Sequence, residues 1–251
     1  MTVYFIGAGP GAADLITVRG QRLVERCEVC LYAGSILSDA LLGSCPPGAR
    51  VVDTGPLTLD QIVAEMSVAH GAGQDVARLH SGDPALYSAV AEQSRRLKEL
   101  GIPFEIVPGV PAFAAAAAAL RRELTVPGVA QSVILTRVAT LSTPMPAGEE
   151  LAALARSQAT LVIHLAAHRV EAIVPELLEG GYPAQTAVAV VAFASRPEQQ
   201  VLRGTLDDIA GKVRAAGITR TAVIIVGDAL AAEAFPDSYL YSPGRERGSR
   251  H

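Results

Sequence analysis

Lysine and aromatic residues are scarce in this chain. Of its 251 residues, 2 are Lys and 19 are Arg, none is Trp, and aromatic residues make up 4%. The formal net charge of −4 gives no general attraction to nucleic acid or to an anionic membrane. Arginine presents a planar fork that matches carboxylates and phosphates, so an anion can still bind in a local patch. A GC-rich genome is the alternative explanation of the arginine bias.

Cysteines and long apolar segments are scarce as well. The longest apolar run, residues 110–120, contains Pro111 and is too short to span a bilayer. The amino terminus lacks the basic segment of a signal peptide. The three cysteines are an odd number without a sign of secretion, so we expect a reduced, cytoplasmic protein. Cys27 and Cys30 have no further ligands nearby, which predicts buried thiols and no metal site.

Short apolar runs alternate with helical patterns along the chain, which indicates an α/β fold. The runs predict strands at residues 3–6, 29–32, 51–53, 76–79, 104–107, 132–135, 161–164, 187–192 and 222–226. The patterns predict helices at residues 21–28, 59–70, 85–100, 149–156, 169–179 and 206–216, and a small, tightly packed helix within 109–119. We expect a mostly parallel sheet in the first half, and an antiparallel edge strand at residues 199–202.

The pattern breaks near residues 108–125, where prolines and glycines cluster. This predicts an N-terminal α/β domain over residues 1–112 and a C-terminal α/β domain over residues 113–242. The remaining segment, 243–251, is polar and charged, so we expect a disordered tail.

The first predicted strand leads directly into the glycine-rich loop 7–11. A dinucleotide fingerprint is one interpretation, but its third glycine stands one place early and Pro10 removes an amide donor. No acidic residue closes the second strand, so NAD(P) binding is disfavoured. A tight strand-to-helix turn is the structural alternative.

Two further loops follow predicted strands. In Ser81-Gly82-Asp83-Pro84, Asp83 is a candidate N-cap and Pro84 suits the first helical position. The segment 107–112, with sequence VPGVPA, is the third such loop. Because the carboxyl ends of parallel strands form the ligand-binding edge of an open sheet, we expect the three loops to line one cleft. No sequence signature of a hydrolase or of a P-loop NTPase is present.

The order and spacing of these motifs resemble the tetrapyrrole (corrin/porphyrin) methyltransferase family, the class III S-adenosylmethionine enzymes. The matching stretches are residues 7–17, 81–84 and 107–110; residues 31–35 and 124–137 resemble the branch that methylates precorrin-4 at C11. The resemblance covers residues 1–240. It implies two α/β domains with a ligand cleft between them, a homodimer, and methyl transfer in cobalamin biosynthesis.

The resemblance also implies a donor site made mostly of backbone, with S-adenosyl-L-homocysteine as product. Its S-adenosyl-L-methionine neighbours would be Pro10, Ser81, Gly82, Asp83, Leu86, Pro111 and Ala112, with Leu165, Ala194 and Ala222 from the second domain. A sulfonium methyl is already activated, so no protein nucleophile is needed. A general base is not identified by the sequence.

The tetrapyrrole substrate implied by the resemblance carries many carboxylates. Candidate substrate contacts are Tyr32, Ser35, Arg50, Arg121, Arg122 and Arg137; for each arginine, a solvated surface side chain is the alternative. Other open alternatives are another ring position, methylation of uroporphyrinogen III, the cobalt form of the substrate, and a non-catalytic nucleotide-binding module.

Overall fold

The computed structural model describes residues 1–34, 39–139 and 143–238. Contacts between Cα atoms divide the chain into two units. The first comprises Met1–Ala115 together with Ala194–Glu198, and the second comprises the other described residues, which lie between Ala116 and Phe193 and from Gln199 to Ser238. The predicted tail, 243–251, lies outside the described residues.

The first unit is built on a five-stranded parallel sheet with the order β3-β2-β4-β1-β5. Its strands are β1 (Val3–Gly7), β2 (Val29–Tyr32), β3 (Arg50–Asp53), β4 (Val76–His80) and β5 (Phe104–Val107). Its helices are α1 (Val18–Val24), α2 (Asp39–Leu42), α3 (Leu59–Gly71), α4 (Val90–Glu99) and the start of α5 (Ala112–Leu120). The parallel sheet is as predicted.

Apolar side chains cover both faces of this sheet. Phe5 and Leu31 pack on one face with Met66 of α3 and Leu97 of α4. On the other face, Ile6 and its neighbours pack against α1 and the cysteines. Cys27 and Cys30 are fully buried free thiols, so their predicted burial is confirmed.

The second unit contains a mixed five-stranded sheet with the order β6-β7-β10-β8-β9. Its strands are β6 (Val133–Arg137), β7 (Thr160–His164), β8 (Ala187–Ala192), β9 (Gln200–Thr205) and β10 (Ala222–Val226). Its helices are α6 (Leu151–Ala155), α7 (Val170–Glu179) and α8 (Ile209–Ala215), besides most of α5. Strand β9 pairs antiparallel with β8 at the edge, as predicted, and β10 runs antiparallel between β7 and β8.

Several predicted helices begin at other residues in the structure: α6 begins at Leu151 and α8 at Ile209, two and three residues later than predicted, and α1 and α4 also begin elsewhere. Helix α1 begins at Val18, because the Thr17 side chain accepts a hydrogen bond from the Gly20 N–H at 3.1 Å. Helix α4 begins at Val90 and not at residue 85. Among the described residues, no helix has the length and apolar composition needed to cross a membrane.

Candidate functional site

Three loops meet at the carboxyl edge of the first sheet. They follow β1, β4 and β5, which are adjacent in the sheet. A Cβ atom added to Gly109 would lie 2.2 Å from the Gly82 carbonyl oxygen and 2.7 Å from the Gly7 Cα. A Cβ atom on Gly7 would lie 2.5 Å from the Gly109 Cα. Only glycine allows three backbones to approach so closely, and the expected meeting of the loops at one edge is confirmed.

The Asp83 carboxylate ties two of these loops together. One oxygen accepts a hydrogen bond from the Ala85 N–H and the other accepts one from the Gly109 N–H, each at 2.7 Å. The prediction that Asp83 caps a helix, with Pro84 as its first residue, is wrong. Helix α4 has Ala89 as its N-cap, because the segment between Asp83 and Ala89 forms a loop. Asp83 therefore shapes the loop edge and does not start a helix.

Backbone hydrogen bonds join the first loop to the second. The Gly82 N–H donates to the Gly9 carbonyl at 2.7 Å, and the Gly9 N–H donates to the Gly82 carbonyl at 3.3 Å. The residues predicted to contact the methyl donor in this unit all lie on the three loops: Pro10, Ser81, Gly82, Asp83, Leu86, Pro111 and Ala112. Of these, Ser81 is exposed, whereas Pro10 and Gly82 are buried.

The segment Ala194–Glu198, which clusters with the first unit, lies against the first glycine loop. The Ser195 Oγ accepts a hydrogen bond from the Ala12 N–H at 3.0 Å. A Cβ atom on Gly11 would lie 2.5 Å from Cγ of Arg196 and 3.1 Å from the Ala194 carbonyl oxygen. The resemblance predicts Ala194 as a donor contact, whereas nothing in the sequence distinguishes Ser195 or Arg196 from ordinary residues that follow a strand.

In the second unit, Leu165 and Ala222 lie at one edge of the sheet. Leu165 follows β7 with φ +57° and is 61% exposed. Ala222 opens β10, pairs with Ala192 at the end of β8, and is half-buried. Because β10 runs antiparallel to β7 and β8, its first residue lies at their carboxyl ends. A residue with a Cβ atom in left-handed backbone is strained, and such strain clusters at functional sites.

Strained backbone is concentrated at these two edges. A residue with a Cβ atom in the left-handed region costs about 1–2 kcal/mol. Eight non-glycine residues of the described chain have positive φ. Six of them follow β4, β7 or β8 or directly precede β10: Tyr87, Ala89, Leu165, Phe193, Ser195 and Thr221. Such strain is retained where surrounding structure enforces it, most often at ligand sites.

The predicted substrate residues of the first unit do not lie together. Tyr32 ends β2 at the carboxyl edge, half-buried, whereas Ser35 lies outside the described residues. Arg50 opens β3, so it lies at the opposite, amino edge of the sheet, and its guanidinium forms an ion pair with Glu65 of α3. The prediction that Arg50 lies near the loops is wrong, since the residue that opens a parallel strand cannot reach the edge where the strand ends.

The three arginines predicted in the second unit do not converge. Arg121 is exposed with φ +52°. Arg122 donates to the Ala232 carbonyl at 2.6 Å. Arg137 donates to the carbonyls of Val138 and Thr143 at 3.1 and 3.3 Å. Two of the three guanidinium groups therefore bind main-chain oxygens of their own unit.

Two buried basic side chains lie on β4 just before the second loop. Arg78 is 4% exposed, and burial lowers the pKa of its guanidinium to about 10. Burial and the neighbouring charge of Arg78 lower the pKa of His80 to about 3, so its imidazole is neutral. The His80 Nε2 is buried without a hydrogen-bond partner among the described residues. Nothing in the sequence distinguished these two from ordinary strand residues.

The fold is that of a two-unit α/β protein, and its loop edge is built mostly from backbone that glycines bring together. The family model of the tetrapyrrole (corrin/porphyrin) methylases matches residues 2–210, and the chain belongs to this family, as its sequence motifs predicted. A relative from Mycobacterium tuberculosis (strain CDC 1551 / Oshkosh), named precorrin-4 C(11)-methyltransferase, is 74% identical over 245 residues, 98% of each chain.

Two solved structures are also similar. The X-ray structure of a cobalamin biosynthetic enzyme, cobalt precorrin-4 methyltransferase, has a TM-score of 0.89 and 41% identity, covering 91% of this chain and 95% of that one. The uroporphyrin-III C-methyl transferase from Thermus thermophilus, complexed with S-adenyl homocysteine, has a TM-score of 0.78 and 27% identity, covering 93% and 96%.

Proposed function

We propose that the chain transfers a methyl group from S-adenosyl-L-methionine to C11 of precorrin-4, or of its cobalt form, in cobalamin biosynthesis. The observation that carries the proposal is the 74% identity to a precorrin-4 C(11)-methyltransferase over 98% of the chain. The meeting of Gly7, Gly82 and Gly109 supports a donor site made of backbone.

The loop edge fits a ligand without phosphate groups. Pro10 has no amide to offer a pyrophosphate, and the amides of Gly9, Gly82 and Gly109 already donate to oxygens of the protein. Bound S-adenosylmethionine supplies an activated sulfonium methyl, which an electron-rich ring carbon attacks in line. The chain's own contribution is alignment of two ligands and exclusion of water, which the rigid glycine contacts and the Asp83 carboxylate support.

The donor contacts proposed for this edge are the seven loop residues from Pro10 to Ala112 described above. Contacts of Leu165, Ala194 and Ala222 with the donor stay predictions that rest on the resemblance. For the acceptor, Tyr32, Arg121, Arg122 and Arg137 stay candidates, and Arg50 does not. A homodimer is also proposed, and a monomer found by light scattering at micromolar concentration would contradict it. A cytoplasmic location is proposed from the three free thiols.

The proposal is tested by binding and by turnover. In calorimetry, S-adenosylhomocysteine should bind saturably and NAD(P) should not; the reverse would favour the nucleotide-binding module. In turnover, a labelled methyl donor is offered with precorrin-4, its cobalt form and uroporphyrinogen III. Label should enter one of the first two. Transfer only to uroporphyrinogen III would support the alternative that the solved Thermus thermophilus structure suggests.

A further inference from the structure

Arg78 is a buried cation without an anionic partner. No carboxylate forms an ion pair with it in the part of the chain that the structure describes. A buried charge is costly, and apolar replacements of buried ionic groups are often neutral or stabilising. Stability therefore gives no reason to keep an arginine at the centre of this sheet, and its distinctive contribution is its hydrogen bonds.

One arm of the guanidinium leads to the loop after β4. Its Nε donates to the Gln93 Oε1 at 3.1 Å, and the Gln93 Nε2 donates to the Ala89 carbonyl at 3.1 Å. Gln93 is 2% exposed, so water does not compete for these bonds. Ala89 has φ +54° and closes the loop that begins at Asp83. This arm holds the strained end of a loop that carries proposed donor contacts.

The other arm leads to the end of β2. The Arg78 Nη1 donates to the Thr54 Oγ1 at 2.9 Å, and this hydroxyl donates to the Tyr32 carbonyl at 2.8 Å. Thr54 is 3% exposed. The Tyr32 carbonyl also accepts from the Thr54 N–H at 2.6 Å. This arm fixes the end of β2 at Tyr32, a proposed acceptor contact.

We propose that Arg78 is a positioning residue for methyl transfer, which holds the proposed donor loop 81–89 through Gln93 and the proposed acceptor contact Tyr32 through Thr54. The inference rests on the proposed function. A planar guanidinium reaches two acceptors in fixed directions, whereas a lysine ammonium is a single point on a flexible stem. Alignment matters because a shift of about 1 Å can cost roughly 100-fold in rate.

The hydrogen bonds through Gln93 and those through Thr54 can be removed separately by single substitutions. Gln93→Met should raise the Kd for S-adenosylhomocysteine by about fivefold or more and leave the tetrapyrrole KM within about twofold. Thr54→Val should raise the tetrapyrrole KM by about fivefold or more and leave the Kd for S-adenosylhomocysteine within about twofold. Arg78→Met should change both parameters and lower kcat, with an unchanged or higher melting temperature, since a buried charge is removed. Arg78→Lys should not restore kcat, because it cannot span both acceptors.

Arg26→Met serves as the matched control, since Arg26 is an exposed arginine that donates to the Tyr4 hydroxyl. It should leave Kd and KM unchanged. Wild-type constants in folded Arg78→Met, or equal shifts of both constants in Gln93→Met and Thr54→Val, would overturn the inference. If Arg78→Met does not fold, the Kd and KM of Gln93→Met and Thr54→Val decide whether Arg78 has the positioning role. A wild-type protein that binds S-adenosylhomocysteine but methylates no tetrapyrrole contradicts the proposed function instead, and the Kd of Gln93→Met then decides the positioning role.

Discussion

At the scale of single residues, Asp83 gives the sharpest test of the loop edge. Its two oxygens accept from two different amides, so Asp83→Asn replaces one acceptor with a donor that faces the Ala85 or Gly109 N–H. Leaving such a group unsatisfied costs about 1–3 kcal/mol. We expect Asp83→Asn to bind S-adenosylhomocysteine about tenfold more weakly and to melt at a lower temperature. The exposed Asp207→Asn is the control. Equal affinity in Asp83→Asn and wild type would reduce Asp83 to a turn residue.

The three thiols differ in their exposure, which predicts an order of reactivity. Burial raises the pKa of Cys27 to about 12, and burial together with Cys45 raises that of Cys30 further still. Cys45 is half-buried. Because the thiolate is the reactive form, iodoacetamide should label Cys45 first in the native protein and the other two after unfolding. Peptide mass spectrometry checks this, and early labelling of Cys27 would contradict the burial described.

At the scale of elements, the glycine contacts between loops can be broken one at a time. A Cβ atom on Gly109 meets the Gly82 carbonyl oxygen at 2.2 Å, whereas one on Gly71, the last residue of α3, meets nothing within 4 Å. Gly109→Ala should therefore separate the loops, weaken S-adenosylhomocysteine binding by about tenfold or more, and destabilise the fold by about 1–3 kcal/mol. Gly71→Ala should be neutral or slightly stabilising. Similar affinities in the two variants would contradict the proposed donor edge.

The strands that are short apolar runs buried on both faces, such as β2 and β8, were predictable from the sequence because their composition alone marks them. It placed the start of α4 wrongly, because residues 85–89 have helical composition while the Asp83 carboxylate and two left-handed residues hold them in a loop. Those constraints are tertiary, so local propensity cannot report them. The insertion of β10 between β7 and β8 is likewise a matter of long-range pairing.

The candidate site was predictable only where its residues carry a local sequence signal. The three loops carry glycines at strand ends, a local signal. Arg50 was placed wrongly although it directly precedes the predicted strand at residues 51–53, which already indicates the amino edge. Arg78 and His80 gave no signal, because a polar residue within an apolar run does not reveal whether it is paired, buried or exposed.

At the scale of the whole molecule, two buried histidines predict a dependence of stability on pH. Burial lowers the pKa of His80 to about 3 and that of His164 to about 4, from an ordinary value of 6.5. Below pH 6.5 these two imidazoles therefore bind protons in the unfolded chain but stay unprotonated in the native state. The free energy of unfolding should fall as the pH drops from 6.5 toward 4, by up to about 1.4 kcal/mol per pH unit for each histidine.

Urea unfolding at several pH values between 7.5 and 4.5 measures this dependence. His80→Gln and His164→Gln remove one titrating group each, so each variant should show a smaller slope than the wild type. The exposed His168→Gln is the control and should keep the full slope. A wild-type stability that stays constant across this range would contradict neutral, buried imidazoles.

The position of the transferred methyl group tests the central claim most directly. The glycine loops are the proposed donor site, and a donor site cannot select a ring position, so the seating of the macrocycle must select it. The purified protein is incubated with enzymatically made precorrin-4 and a donor that carries a ¹³C methyl group, and the product is examined by carbon NMR. The account predicts one new methyl signal, at C11. A new signal at C1 or C17, or no transfer to precorrin-4 or its cobalt form, would contradict it.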